Sequence, residues 1–261
     1  MKITYSQKKR LEYKKEYEGK TFVNKDNQSY VVVEYINANK VLVRFEEDGH
    51  ECWTFLHNMK KGILRNPNFR SVYNIGYIGV GEYKSSINGK LTKTYKTWFK
   101  MFERCYSEQY LSKYPTYENK QVCEEWHNFQ NFAKWYEENY YEVEGEVVCL
   151  DKDILVKGNT IYSPQTCVFV PNKINTLVVT CQGNRGELPI GVSMNGKKFR
   201  SCINYNRKTT HLGLFDTKEE AFEVYKKAKE ELIRATAEQY KSRIPEKLYV
   251  ALLNYKVEIT D

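Results

Sequence analysis

Between residues 188 and 240 the hydrophobic pattern changes period once, and no other feature constrains the fold of the chain so tightly. The stretch KFRSCIN (198–204) alternates: Phe199, Ser201 and Ile203 point to one face, and Lys198, Arg200, Cys202 and Asn204 point to the other. Asn195-Gly196 before it and a basic loop after it are turn signals that separate three short strands. In HLGLF (211–215), Leu212 and Phe215 supply the apolar side and His211 points away. The spacing then becomes i, i+4, i+7, i+11, i+14 through Ala221, Tyr225, Ala228, Leu232 and Ala235. A Thr217-x-x-Glu220 capping box opens that helix and Pro245 stops it. The expected product is a three-stranded sheet covered on one face by a helix.

The uncovered face is basic. Residues 185–211 hold Arg185, Lys197, Lys198, Arg200, Arg207 and Lys208 against the single Glu187, a balance of +5. The helix that follows is rich in Glu, so positive charge is segregated onto the sheet. The whole chain carries 41 Lys and Arg against 33 Asp and Glu, a net charge of +8 that suggests an anionic partner. A small sheet fits the major groove of DNA as two-stranded ribbons do.

The pattern G-V-x(4)-K-x-F-x(3)-I-x(7)-H-L-G-x-F-x-T-x-E-E-A-x(3)-Y runs from Gly191 to Tyr225 and resembles the APETALA/ethylene-response type of DNA-binding domain. In that family the outward sheet face reads the major groove. The resemblance implies a DNA-facing set of Ser193, Asn195, Arg200, Cys202, Asn204 and His211; the local positive charge adds Lys197, Lys198, Arg207 and Lys208 as expected DNA contacts. Ser193, Asn195 and Asn204 stand where plant members carry Arg or Trp, which bears on sequence specificity rather than on DNA contact.

A second resemblance covers the middle of the chain. YKTWFKMFERCY (95–106), VCEEWHNFQNFAKWY (122–136) and LDKDILVKGNTIYSPQTCVFVPNKIN (150–175) are similar to the HNH-type endonuclease modules of phages and mobile introns. There an Arg-Cys-Tyr helix precedes a Trp-containing helix and a ββα-metal core, often with an APETALA-type domain at the C-terminus. The order of parts is the same here.

The catalytic chemistry of such a module needs a His to deprotonate water beside a divalent metal. The position of that His is Lys152, within Leu150-Asp151-Lys152-Asp153. A Lys ammonium has a free pKa of about 10.4 and is a poor base at neutral pH. Asp151, Lys152 and Asp153 are the catalytic candidates. The metal-ligand positions fall on Asn159 and Asn175, with Asp151 and Asp153 nearby; on a strand, those two carboxylates would share a face. The competing reading makes this segment a solvated turn in which Lys152 contacts phosphate. Cys105, Cys123 and Cys167 are a further, weaker zinc possibility. No cofactor is expected unless the module cleaves DNA, in which case Mg²⁺ or another divalent ion is required.

Residues 1–20 carry seven basic side chains against three Glu. They read as a solvated helical leader or as an arm on phosphate backbone. YVVVEYI (30–36), KVLVRFE (40–46) and CWTFL (52–56) read as strands joined by Asn37-Ala38-Asn39 and Asp48-Gly49, which suggests a small β-barrel. Gly76, Gly79 and Gly81 read as a linker. The aromatic stripes Tyr95, Trp98, Phe102 and Trp126, Phe129, Phe132 recur at helical spacing and read as core.

The expected architecture is therefore α+β and multidomain. A basic leader (1–20) precedes a small N-terminal β-barrel (21–80). An HNH-like ββα module with flanking helices follows (82–180), and a C-terminal three-stranded sheet plus helix completes the chain (185–261). No run approaches the 18 or so apolar residues of a membrane span, and the first twenty residues lack the apolar core of a secretory signal. Seven cysteines without a C-x-x-C pair argue against a disulfide framework. These features point to a cytoplasmic protein, in a bacterial host if phage-encoded. Its expected partner is double-stranded DNA. Binding without cleavage, metal-dependent nicking, and a role as an interaction protein that blocks a host factor are the three functional expectations.

Overall fold

The computed structural model describes residues 4–178, 188–206 and 208–261. Helices and small sheets make up two compact units, Met1–Ser112 with Glu124–Lys134, and Lys113–Cys123 with Trp135–Asp261. Among the described residues no helix is long and apolar enough to cross a membrane.

The first unit opens with α1 (Tyr5–Tyr17), started by a capping box between Thr4 and Gln7. The basic side chains of α1 are exposed, but its last turns are anchored: Tyr17 is buried and Tyr13 packs beside it. Strands β1 (Thr21–Val23), β2 (Ser29–Asn37), β3 (Lys40–Phe45) and β4 (Glu51–Thr54) follow, then α2 (Leu56–Lys61). The strands pair antiparallel in the order β1-β2-β3-β4. The expected barrel is thus an open meander. Its outer strands have three and four residues, too short to tilt and stagger into closure. Helices close one face instead: Leu56 and Met59 of α2 and Tyr17 of α1 pack on Tyr30, Val32, Tyr35, Val41, Val43 and Phe45.

A two-stranded hairpin, β5 (Ser86–Ile87) with β6 (Lys90–Leu91), leads into α3 (Lys93–Tyr106). The stripe of α3 is core as expected, with Trp98, Met101, Phe102 and Cys105 buried. After α4 (Glu108–Lys113) and β7 (Gln121–Val122) comes α5 (Phe129–Asn139), within which the division between the units falls. The boundary expected at 80–82 lies inside the first unit, because the glycine segment is packed rather than spanning a gap. A Cβ on Gly76 would sit 2.9 Å from the Trp98 ring. The Gln130 amide donates to the carbonyls of Ile78 and Tyr83 and accepts from the Tyr83 amide.

The second unit contains β8 (Val148–Asp151), β9 (Ile161–Tyr162), β10 (Val168–Pro171) and α6 (Asn172–Val178). β8 and β10 pair antiparallel and α6 leaves directly from β10, a ββα arrangement. β9 pairs parallel with β7. Then come β11 (Val192–Asn195), β12 (Lys198–Tyr205) and β13 (Lys208–Phe215), an antiparallel sheet in that order, followed by α7 (Lys218–Tyr240) and α8 (Glu246–Leu253).

α7 joins the two halves of this unit. Its first turns bury Phe222 and Tyr225 against Ile203 of the sheet. Its last turns bury Ile233, Ala237 and Tyr240 in a core shared with Val168, Val170 and Ile174 of the ββα module. The stripe read from sequence therefore holds only halfway: Ala221 and Tyr225 are buried but Ala235 is exposed. The buried face rotates because the helix changes partner along its length. For the same reason the boundary expected at 180–185 falls within one compact unit.

Candidate nucleic-acid interface and the ββα module

Register defines the outward face of the C-terminal sheet. Ser193, Arg200 and Leu214 form one row across all three strands. Asn195 pairs with Lys198 on one side of that row, and Cys202 pairs with His211 on the other, followed by Asn204 with Thr209. A bulge between Ser201 and Cys202 shifts the register of β13, so His211 and Leu214 share a face despite their odd spacing. Behind the sheet, Gly191 (φ +76°) lies so close to the Tyr225 ring that a Cβ there would collide with it at 2.0 Å. That close approach seats the sheet on α7 and turns the polar row outward.

Seven of the expected contact residues, Ser193, Asn195, Lys198, Arg200, Cys202, Asn204 and His211, share this face. Lys197 sits in the turn between β11 and β12. Lys208 is exposed but pairs with Tyr205, on the side of the sheet that carries α7. Arg207 lies outside the described residues, as do Arg185 and Glu187. Leu214 was not singled out by sequence; the glycine beside it inside a strand was the signal for the bulge that exposes it.

The cations of the face differ in their freedom. Lys198 pairs with Asp216 at 3.2 Å, an exposed contact of small energetic weight. The Arg200 Nε donates to Ser193 Oγ at 3.2 Å. No carboxylate pairs with Arg200 among the described residues. Its two terminal nitrogens therefore remain as a fork, oriented by the serine. Cys202 Sγ lies 3.9 Å from His211 Nδ1 in the next row.

The ββα module is organised differently. Asp151 ends β8, and its Oδ1 accepts from the backbone of Asp153 and Ile154, both at 2.8 Å. Burial pushes the Asp151 carboxyl above its usual range, against those two amides. Asp153 is on the turn that follows, not on the strand, so the expected pair of carboxylates on one strand face does not form. The Lys152 side chain is 5% exposed. Its ammonium donates to both oxygens of Asp153 at 2.6 Å and to the Asn159 carbonyl at 3.1 Å, 5.7 Å from the centre of the Tyr162 ring. Lys152 is thus an internal cation holding the turn, not an exposed phosphate contact. The Asn159 amide donates to the carbonyls of Lys152 and Ile161, at 2.9 and 2.7 Å, and so closes the same loop.

These residues do not fit a divalent ion. The Asp153 carboxylate is taken by the ammonium and the Asn159 side chain by backbone; Asn175 alone offers a buried oxygen, Oδ1, with no partner among the described residues. Among those residues no three His, Cys, Asp or Glu side chains are placed to hold a metal. Cys167 is buried and its thiol is pushed up to about 12, chiefly by burial, so it is a neutral packed thiol rather than a thiolate ligand.

Comparison with protein-family models, with curated proteins and with solved structures found no match to the chain.

Proposed function

We propose that the chain binds double-stranded DNA through the outward face of β11–β13, laid into the major groove, and that the ββα module supports this sheet without cleaving DNA. The observation that carries the reading is Arg200, a guanidinium held by Ser193 on an uncovered face with its fork free of any described carboxylate. Arg presenting two parallel donors is the commonest specific reader of guanine O6 and N7. The resemblance of Gly191–Tyr225 to the APETALA-type domain supports the same face. The buried ammonium of Lys152 at the position of the expected base supports the absence of cleavage. α7 gives the module its role, since the core it shares with β10 and α6 also fixes the helix that backs the sheet.

The test is incubation with supercoiled plasmid, with and without Mg²⁺ or Mn²⁺, beside a gel shift. The expected result is retardation without nicking. Efficient nicking that Lys152→Ala abolishes would overturn the non-cleaving half of the proposal. Asn175 Oδ1 is the one feature that favours the nicking alternative, and Lys152→His is the variant that would raise nicking if a metal site survives.

A further inference from the structure

The row Ser193–Arg200–Leu214 pairs a guanidinium with an apolar side chain, and the two make different demands on a base. Leu214 is 46% exposed on the face that carries Arg200, and the pairing register sets them directly opposite each other. Opposed side chains on one face of an antiparallel pair stand about 5 Å apart at Cβ, and stacked bases are spaced about 3.4 Å along a strand. With this row laid along the base stack, a guanidinium on guanine O6 and N7 brings its opposite neighbour over the adjacent base pair. What distinguishes pyrimidines there, to an alkyl group, is the C5-methyl. Ser193 removes one freedom from this geometry, because its hydroxyl occupies Arg200 Nε and leaves the terminal nitrogens for the base.

We propose that Arg200 and Leu214 together recognise a C5-methylated pyrimidine next to a guanine. The inference rests on the DNA-binding reading and names the base step that the same face prefers. Thymine and 5-methylcytosine carry the same methyl group in the major groove. Other outward neighbours of Arg200 along β12, Lys198 and Cys202, offer no branched alkyl group, so the methyl contact is assigned to Leu214.

The experiment compares affinities for a duplex with thymine–guanine steps and for the same duplex with deoxyuridine at each such thymine, a change that deletes only the methyl. A second pair compares cytosine–guanine steps with and without the C5-methyl. Loss of affinity of about three- to fivefold per methyl contacted is expected in both pairs, the value of burying one CH₂-sized group. Leu214→Ala should bring both ratios to one while salt-dependent binding persists, and Leu214→Met should retain the preference. A preference in the thymine pair alone would assign thymine as the source, and one in the cytosine pair alone would assign 5-methylcytosine. Equal affinity of the full-length protein within both pairs overturns the inference and leaves DNA binding standing. Absence of binding to every duplex overturns both.

Discussion

Two cations of the second unit, Lys152 and Arg200, sit in environments that divide their roles. The Lys152 ammonium is buried and saturated: a carboxylate, a carbonyl and an aromatic face surround it, and its charge is spent on the fold. Arg200 is exposed and has one nitrogen fixed by a hydroxyl, so its charge is oriented but unspent. Both were candidates from sequence, and both lie in segments rich in charge. Net charge alone does not separate a cation that builds a turn from one that meets a ligand; the partners within reach do.

The largest effect that would sharpen this contrast is on stability. Lys152→Met should destabilise the protein by about 1.5–3 kcal/mol, the range for losing hydrogen bonds to charged groups, with Asp153 regaining water because half of its side chain is exposed. The folded variant should bind DNA as the parent does. Chemical denaturation and a gel shift measure the two halves, and a variant of unchanged stability with lost affinity would reverse the roles of the two cations. Arg200→Ala is the mirror experiment. It should cost about 1–3 kcal/mol of discrimination between preferred and mismatched duplexes. Melting temperature should not move, since the side chain covers no core. Equal affinity of variant and parent across a panel of sequences would remove the sheet as the reading surface.

The smallest expected effect is on acid stability. Burial raises the Glu146 carboxyl, but the Tyr240 hydroxyl and the Lys173 ammonium outweigh it and hold the group below its usual range. A depressed carboxyl contributes stability that is present above its unfolded value of about 4.3 and lost as pH falls through the folded one. Glu146→Gln should therefore lose less stability than the parent as pH is lowered through that window. Parallel curves would show that the link from Glu146, just before β8, to Tyr240 at the end of α7 and Lys173 of α6 carries no charge-dependent energy.

The C-terminal sheet was legible because period-two alternation in 198–204 and the capping box at Thr217 are local signals, and both hold in the structure. The aromatic stripe of α3 was legible for the same reason. The second half of α7 was not, because its buried face follows a ββα core that includes Val168, Val170 and Ile174, far upstream in the sequence. Closure of the N-terminal strands was equally invisible, since strand length and helix cover decide it rather than strand propensity. The fate of Lys152 depends on Asn159 and Tyr162 folding back over it, a contact that no spacing rule encodes. Leu214 reached the outward face only through a bulge.

The central claim is that the outward sheet meets a polyanion, and salt dependence tests it most directly. The sheet together with its flanking turns and loops, residues 185–211, carries a balance of +5 in the sequence, which corresponds to about five neutralised phosphates for the segment as a whole. The logarithm of the association constant for duplex DNA should then fall with the logarithm of salt concentration at a slope of about −4 to −5. A slope near zero, or no measurable binding at low salt, would contradict the account.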